Sequence, residues 1–274
     1  MTLVIGLCLA LGSLAGCGRV DPPFRFTTRM GREADIRRTL LLQPRLRPQP
    51  TATPDIVPEQ PSDEASQIAG AITHGPRHSD MVALTLDDGP SRQSETVLGI
   101  LAQEHAVVTF FYVGDRVPFN PWAARRAVSL GCDVEDHTLT HVELVGMSAN
   151  EVAAQLLDTR ETIYDVTGRL PMWARPRAGR IDPLAADVVR ELGMGLVLWD
   201  TEAADTIAPG RSAEGIAHNV IARARPGSIV LLHETNPLTV QALPEMIEGL
   251  RARGFELVTL TRMLRSPSHA LAIQ

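Results

Sequence analysis

The chain has 274 residues, 44% of them hydrophobic and 21% charged, which is enough apolar side chain to bury the core of one large domain of roughly 200 residues with further segments beside it. A formal net charge of −6 excludes a broad basic surface, and the densest run of arginines lies outside the region patterned like a folded domain. Both facts exclude nucleic acid as a partner.

Leu3 to Ala15 is apolar and ends in Leu14-Ala15-Gly16-Cys17. It has the length of a signal-peptide core and is too short to span a bilayer as a mature helix. The last four residues resemble the lipobox of bacterial lipoproteins, in which the cysteine becomes the lipidated first residue. That resemblance implies a signal segment over 1–17, lipid on Cys17, and a cell-envelope protein anchored to a membrane and facing the periplasm or exterior. Cys8 then leaves with the signal, and Cys132 is the one thiol of the folded part. No disulfide forms within a monomer, the oligomeric state expected here, and Cys132 beside Gly131 reads as a packing thiol.

Residues 18–66 read as a disordered tether. Eight prolines fall between Pro22 and Pro61, arginines crowd its first part from Arg19 to Arg47, and its end is acidic at Asp55, Glu59, Asp63 and Glu64. Glu33 to Leu42 has the pattern of a short helix. The third segment, 67–274, is the expected folded domain.

From Met81 onward, short apolar runs alternate with amphipathic segments, the rhythm of βα units around a parallel sheet. Seven strands are expected: Val82 to Leu86, Val107 to Val113, Cys132 to Glu135, Met172 to Ala174, Met194 to Trp199, Ser228 to Leu232, and Phe255 to Val258. Asn120-Pro121 and Asp182-Pro183 each supply an N-cap followed by proline at the first helical position, and Ser148 with Glu151 has the spacing of a capping box. Periodicity alone fits either a barrel or an open doubly wound sheet. No glycine-rich phosphate loop follows the first strand; polar residues follow one strand after another, at Asp87 and Asp88, His137, Arg175, Asp205 and His233. Sites assembled from several strand ends favour a barrel.

Each of these residues also has an ordinary reading. Asp87-Asp88-Gly89-Pro90 has turn chemistry, His233 suits a hydrogen-bonded core histidine, and Arg175 and Asp205 suit loops. His137 and His141, four residues apart, share one face of a helix or tight loop within reach of a single ion. Asp88 supplies the oxygen ligand that completes a two-histidine, one-carboxylate set with a position left for water or substrate.

Together these residues resemble the polysaccharide deacetylase family, the NodB-homology domains of carbohydrate esterase family 4, over about Ile72 to Leu264. Thr85-Leu86-Asp87-Asp88-Gly89-Pro90 is similar to the first family motif, Thr-Phe-Asp-Asp-Gly-Pro, and His137 to His141 to its His-(Ser/Thr)-x-x-His motif. Arg175-Pro176 matches the third motif, Glu202 to Thr206 loosely the fourth (Asp-x-x-Asp-Trp), and Leu231-Leu232-His233 the fifth (Leu-x-His). The resemblance implies an α/β fold, a deformed (β/α)7 barrel. It further implies that Asp88, His137 and His141 bind a divalent metal, most often zinc with cobalt as an alternative, and that Asp87 is the general base. His233 is implied as the acid, with Arg175 paired to Asp87 and Asp205 orienting His233. Ala178, through its main-chain N–H, and Leu231 stand at substrate-binding positions. The implied activity is removal of N-acetyl groups from an acetylated polysaccharide of the peptidoglycan or poly-N-acetylglucosamine type, with O-acetyl ester hydrolysis or non-catalytic glycan binding as alternatives.

Three positions depart from the family pattern: Ala178 replaces an aromatic, Arg177 a frequent proline, and Thr206 a tryptophan. Losing two aromatics widens the pocket, and Arg177 adds a cation at its rim.

Overall fold

The computed structural model describes residues 70–206 and 212–264. The signal segment, Cys17, the tether and the Glu33 to Leu42 helix lie outside the described residues.

Nine strands form one sheet: β1 (Ala71–Ile72), β2 (Met81–Gly89), β3 (Thr109–Tyr112), β4 (Asp133–Asp136), β5 (Trp173–Ala174), β6 (Gly195–Val197), β7 (Thr201–Glu202), β8 (Ile229–His233) and β9 (Glu256–Leu257). All their pairings are parallel, in the order β1-β6-β5-β4-β3-β2-β8-β7, with β9 added beside the start of β2. The helices are α1 (Ser94–Gln103), α2 (Pro121–Ser129), α3 (Ala149–Thr167), α4 (Pro183–Glu191), α5 (Ala213–Arg223), α6 (Pro237–Ala252) and α7 (Leu260–Leu264), with 3-10 turns at Gly114–Phe119 and Arg177–Gly179. The sheet curls into an open half-barrel, the deformed (β/α)7 barrel expected.

All seven expected strands are present. The two additional strands, β1 and β7, have two residues each and are defined by pairing to β6 and β8 rather than by any period of their own. The helix starts follow their local chemistry. Asn120 accepts from the Ala123 N–H, Asp182 from the Ala185 N–H at 2.8 Å, and Ser148 and Glu151 close a reciprocal capping box.

β2 organises the core. Val82, Leu84 and Leu86 pack with α1, α2, α5 and α6 on one face of the sheet, while Ala83 belongs to a second cluster with Phe111, Leu196, Ile229 and Leu231. The alternation of a strand therefore turns Ala83, Thr85 and Asp87 the same way, into the barrel. Leu84 is completely buried, and Leu84→Ala would cost about 2–5 kcal/mol.

Candidate active site

A regular strand sends neighbouring side chains to opposite faces, so adjacent carboxylates cannot both serve one site. β2 breaks that rule at its end. Asp87 is in register with Phe111 and Gly89 with Tyr112, which leaves Asp88 as the extra residue of a bulge, at φ 69°. Aspartate tolerates this left-handed conformation better than most side chains, and the bulge re-aims Asp88. At Gly89 a Cβ would lie 2.3 Å from the Tyr112 ring and 2.4 Å from Glu234 Oε2, so only glycine fits.

Asp87 is held from within the barrel. Arg175, fully buried beyond β5, donates from Nη1 to Asp87 Oδ1 at 2.8 Å and to Thr85 Oγ1 at 2.7 Å, and from Nη2 to the Leu198 carbonyl at 3.0 Å. Its guanidinium lies over the Phe111 ring, 4.1 Å from the centroid. Burial pulls the Arg175 pKa down while the Asp87 carboxylate opposes that fall. With Oδ1 occupied by Arg175, Asp87 Oδ2 faces His137 Nε2 at 3.8 Å.

His137 and His141 sit on a tight loop after β4, not on a helix, with Thr138 and His141 at φ 65° and 56°. The Thr138 N–H donates to Asp136 Oδ1 at 2.8 Å, which shapes the loop. His137 Nδ1 lies 2.7 Å from the Arg175 carbonyl. A carbonyl only accepts, so Nδ1 carries the proton and the Nε2 lone pair faces the site. Asp88 Oδ1 lies 3.0 Å from His141 Nε2 and 3.7 Å from His137 Nε2.

These three ligand atoms lie within 4.8 Å of one another. Asp88 Oδ1 is buried and accepts no hydrogen bond. Burial raises the Asp88 pKa, but the facing charges of His137, His141, His233 and Arg116 outweigh it and hold the carboxyl below its usual range. Burial, with help from the neighbouring His137 charge, pulls His141 down to about 3, so its imidazole is neutral at neutral pH. Two imidazoles and one carboxylate whose Oδ1 is buried and unpartnered fit a divalent ion.

His233 ends β8 and is the direct register partner of Asp87, so both side chains turn into the same space. Its Nδ1 lies 2.8 Å from Asp205 Oδ1, and its main-chain N–H donates to Asp205 Oδ2, also at 2.8 Å. The Thr239 hydroxyl donates to Asp205 Oδ2, and the Asn236 amide donates to the Asp205 carbonyl. Burial raises the Asp205 pKa, but the hydrogen bond and charge of His233, with the Thr239 hydroxyl, bring it below the usual carboxylate range. Asp205 therefore accepts, and His233 keeps its proton on Nδ1 toward it.

The family model for polysaccharide deacetylases matches residues 74–197. The peptidoglycan-N-acetylglucosamine deacetylase of Bacillus cereus is 31% identical over 196 residues, covering 69% of this chain and 91% of that protein. The chain belongs to the polysaccharide deacetylase family. A second relative, the peptidoglycan-N-acetylglucosamine deacetylase PgdA of Listeria monocytogenes, is 32% identical over 183 residues, 66% of this chain; the chain spans only 38% of that protein's length. Among solved structures, the Bc1960 peptidoglycan N-acetylglucosamine deacetylase superposes with a TM-score of 0.69 at 29% identity, covering 74% of this chain and 96% of that one.

Against the family's motifs, this deacetylase-family chain brings Asp87, Asp88, His137, His141, Arg175, Asp205 and His233 to one end of the barrel. Leu231 is buried in the inner cluster below His233, so it forms floor rather than wall. Ala178 is half-buried at φ 52° in the turn after Arg175, and the exposed Arg177 lies near enough for its charge to act on His141. Thr206 is exposed, and Glu202 is buried on β7.

Three contributors have roles that the sequence motifs do not assign. Arg116 donates to the Asp88 carbonyl, and Thr85 bridges Arg175 to the Val230 carbonyl, donating to it at 2.7 Å. Glu234 donates its main-chain N–H to the Asp87 carbonyl at 3.0 Å, while its Oε1 accepts from the Ser91 N–H and hydroxyl, each at 2.9 Å, and from the Ser94 hydroxyl. It thus brackets the segment that follows Asp88. Burial pushes the Glu234 pKa up, and these donors oppose the rise. Their partners lie far off in sequence; the one local signal was the Ser91 and Ser94 pair just after Gly-Pro.

Proposed function

We propose that the protein is a metal-dependent hydrolase that removes N-acetyl groups from a cell-envelope glycan, of the peptidoglycan or poly-N-acetylglucosamine type, leaving acetate and a free amine. The observation that carries this reading is the division of labour at the ends of β2 and β8. Asp88, His137 and His141 point three ligand atoms at one spot, while Asp87 and His233 flank it from adjacent strands. The named activities of the Bacillus and Listeria relatives support the substrate class.

Asp88, His137 and His141 would hold the ion, and their nitrogen and oxygen donors suit zinc, with cobalt able to substitute. When bound, such an ion supplies Lewis acidity to the acyl carbonyl and to water. Arg175 occupies Asp87 Oδ1 and so leaves Oδ2 to accept the proton of the attacking water as its oxygen bonds to the acyl carbon. Asp205 holds the His233 ring through Nδ1, which leaves Nε2 to deliver a proton to the nitrogen as the carbon–nitrogen bond breaks. The main-chain N–H of Ala178 is the donor assigned to the developing oxyanion; being main chain, it survives the loss of the aromatic side chain. Leu14 to Cys17 supports a lipid anchor in the envelope, with the glycan as partner of a monomer.

The test is acetate release by the full chain from acetylated glycans, with and without chelator, and with Asp87→Asn as control. Metal binding without acetate from any glycan sinks the hydrolase reading. His233→Ala compared on amide and ester substrates then separates deacetylase from esterase: an amine leaves poorly without a proton, so amide turnover falls about 10²-fold or more and ester turnover falls less.

A further inference from the structure

Five large hydrophobic side chains stand exposed among the described residues: Phe119, Trp122, Val145, Leu184 and Leu238. All five lie at one end of the barrel. Phe119 closes the turn after β3, Val145 lies between β4 and α3, and Trp122, Leu184 and Leu238 sit in the first turns of α2, α4 and α6. In parallel βα units the strand ends and the following helix starts share one end, here the end that carries Asp87, His137 and His233. Single exposed apolar residues need no explanation, but a set confined to the end of the barrel that carries the site does.

Phe119 and Trp122 are its aromatic part. Phe119 precedes the N-cap Asn120, where an apolar residue ordinarily packs onto the fourth helical residue, here Ala124. At 89% exposure its ring makes no such staple, and Trp122 beside it is 48% exposed. The turn that carries them is fastened to the site. The Gly114 N–H donates to the Thr138 carbonyl at 3.0 Å, the Asp115 N–H to the Leu139 carbonyl at 2.9 Å, and Arg116 to the Asp88 carbonyl. Phe119 stands one 3-10 turn beyond Arg116, a rise of about 6 Å.

We propose that Phe119 and Trp122 form a stacking platform for a pyranose ring of the substrate polysaccharide, outside the acetylated residue under attack; this rests on the glycan reading above. The C–H face of a sugar ring is apolar while its hydroxyls stay in water, so it suits an exposed aromatic surface on a turn hydrogen-bonded to the segments that carry Asp88 and His137. The departures in the pocket agree too: with Ala178 and Thr206 replacing two aromatics, aromatic grip on the strand lies at the rim.

The test compares the metal-loaded full chain with Phe119→Ala, Trp122→Ala and the double variant, on acetylated glucosamine polymer and on phenyl acetate, which is too small to reach the rim. The ratio of kcat/KM on polymer to kcat/KM on phenyl acetate is expected to fall about tenfold in the double variant, mostly through KM, and about threefold in each single. Phe119→Tyr with Trp122→Tyr restores it. Co-sedimentation with insoluble peptidoglycan reads the platform without turnover: wild type pelleting and the double variant staying in solution supports the platform even if no acetate is released, an outcome that would fail only the hydrolase reading. An unchanged ratio with unchanged pelleting overturns the platform. So does loss of binding to phosphatidylglycerol vesicles in place of glycan.

Discussion

β2 and β8 lie side by side in parallel, and each delivers chemistry from its last residues, but they do so in opposite ways. β2 abandons its pleat: the bulge at Asp88 sends two consecutive carboxylates to one place. β8 keeps its pleat, so His233 enters the site while Glu234 turns away from it and secures the chain after Asp88. A bulge doubles the number of groups a strand end supplies. Regular alternation supplies one group and a support for its neighbour.

The largest expected effects fall on β2. Asp87→Asn should lower kcat for acetate release about 10²–10⁴-fold while ion content, measured by metal analysis, is retained. At Asp88 the bulge and the ligand can be separated. Asp88→Gly keeps the left-handed backbone and should lose the ion with little change in Tm, whereas Asp88→Val should lose the ion and also about 1–2 kcal/mol of stability, a few degrees in Tm. Equal Tm values for these two variants would remove backbone conformation from the account of this strand end.

On β8 a smaller effect separates support from chemistry. Glu234→Ala should weaken ion affinity and lower kcat about tenfold, because it frees the segment after Asp88 without removing a reacting group. A drop in Tm with ion affinity and kcat unchanged would reduce Glu234 to a packing residue.

The smallest effect is in pH, where two carboxyls near the end of β8 have opposite signs. Asp205 has a lowered folded pKa, so its contribution to stability is full above the ordinary aspartate range, near 3.9, and is lost as pH falls through the folded value. Glu234 has a raised folded pKa, so its contribution is full below the ordinary glutamate range, near 4.3, and is lost as pH rises through the folded value. In melts recorded across pH, Asp205→Asn should flatten the acid limb and Glu234→Gln the limb above it. Both variants flattening the same limb would contradict these assignments.

What was legible in the sequence followed interaction range. Asn120, Ser148 and Asp182 cap helices that begin one residue later, so a few neighbouring letters suffice. The apolar runs of β2 and β8 announce themselves because both strands are buried on both faces. The motif residues were legible through their order along successive strand ends. The bulge was not, because it exists only as a slip in register against Phe111 and Tyr112, about 25 residues away. The roles of Arg116, Thr85 and Glu234 were not legible for the same reason: each acts on a main-chain group or a side chain that only tertiary folding brings near. Cys132 followed its expectation, buried with a pKa pushed up to about 12 by that burial.

Because Asp87 and His233 are register partners, the main-chain positions that carry the proton acceptor and the proton donor are held at the spacing of adjacent strands, about 4.8 Å. That gauge belongs to the backbone lattice and not to any loop. An engineer who wants a different glycan can therefore leave the strand ends untouched and rebuild the rim around Ala178, Thr206, Phe119 and Trp122, since the chemistry and the choice of substrate are written in separate parts of the chain.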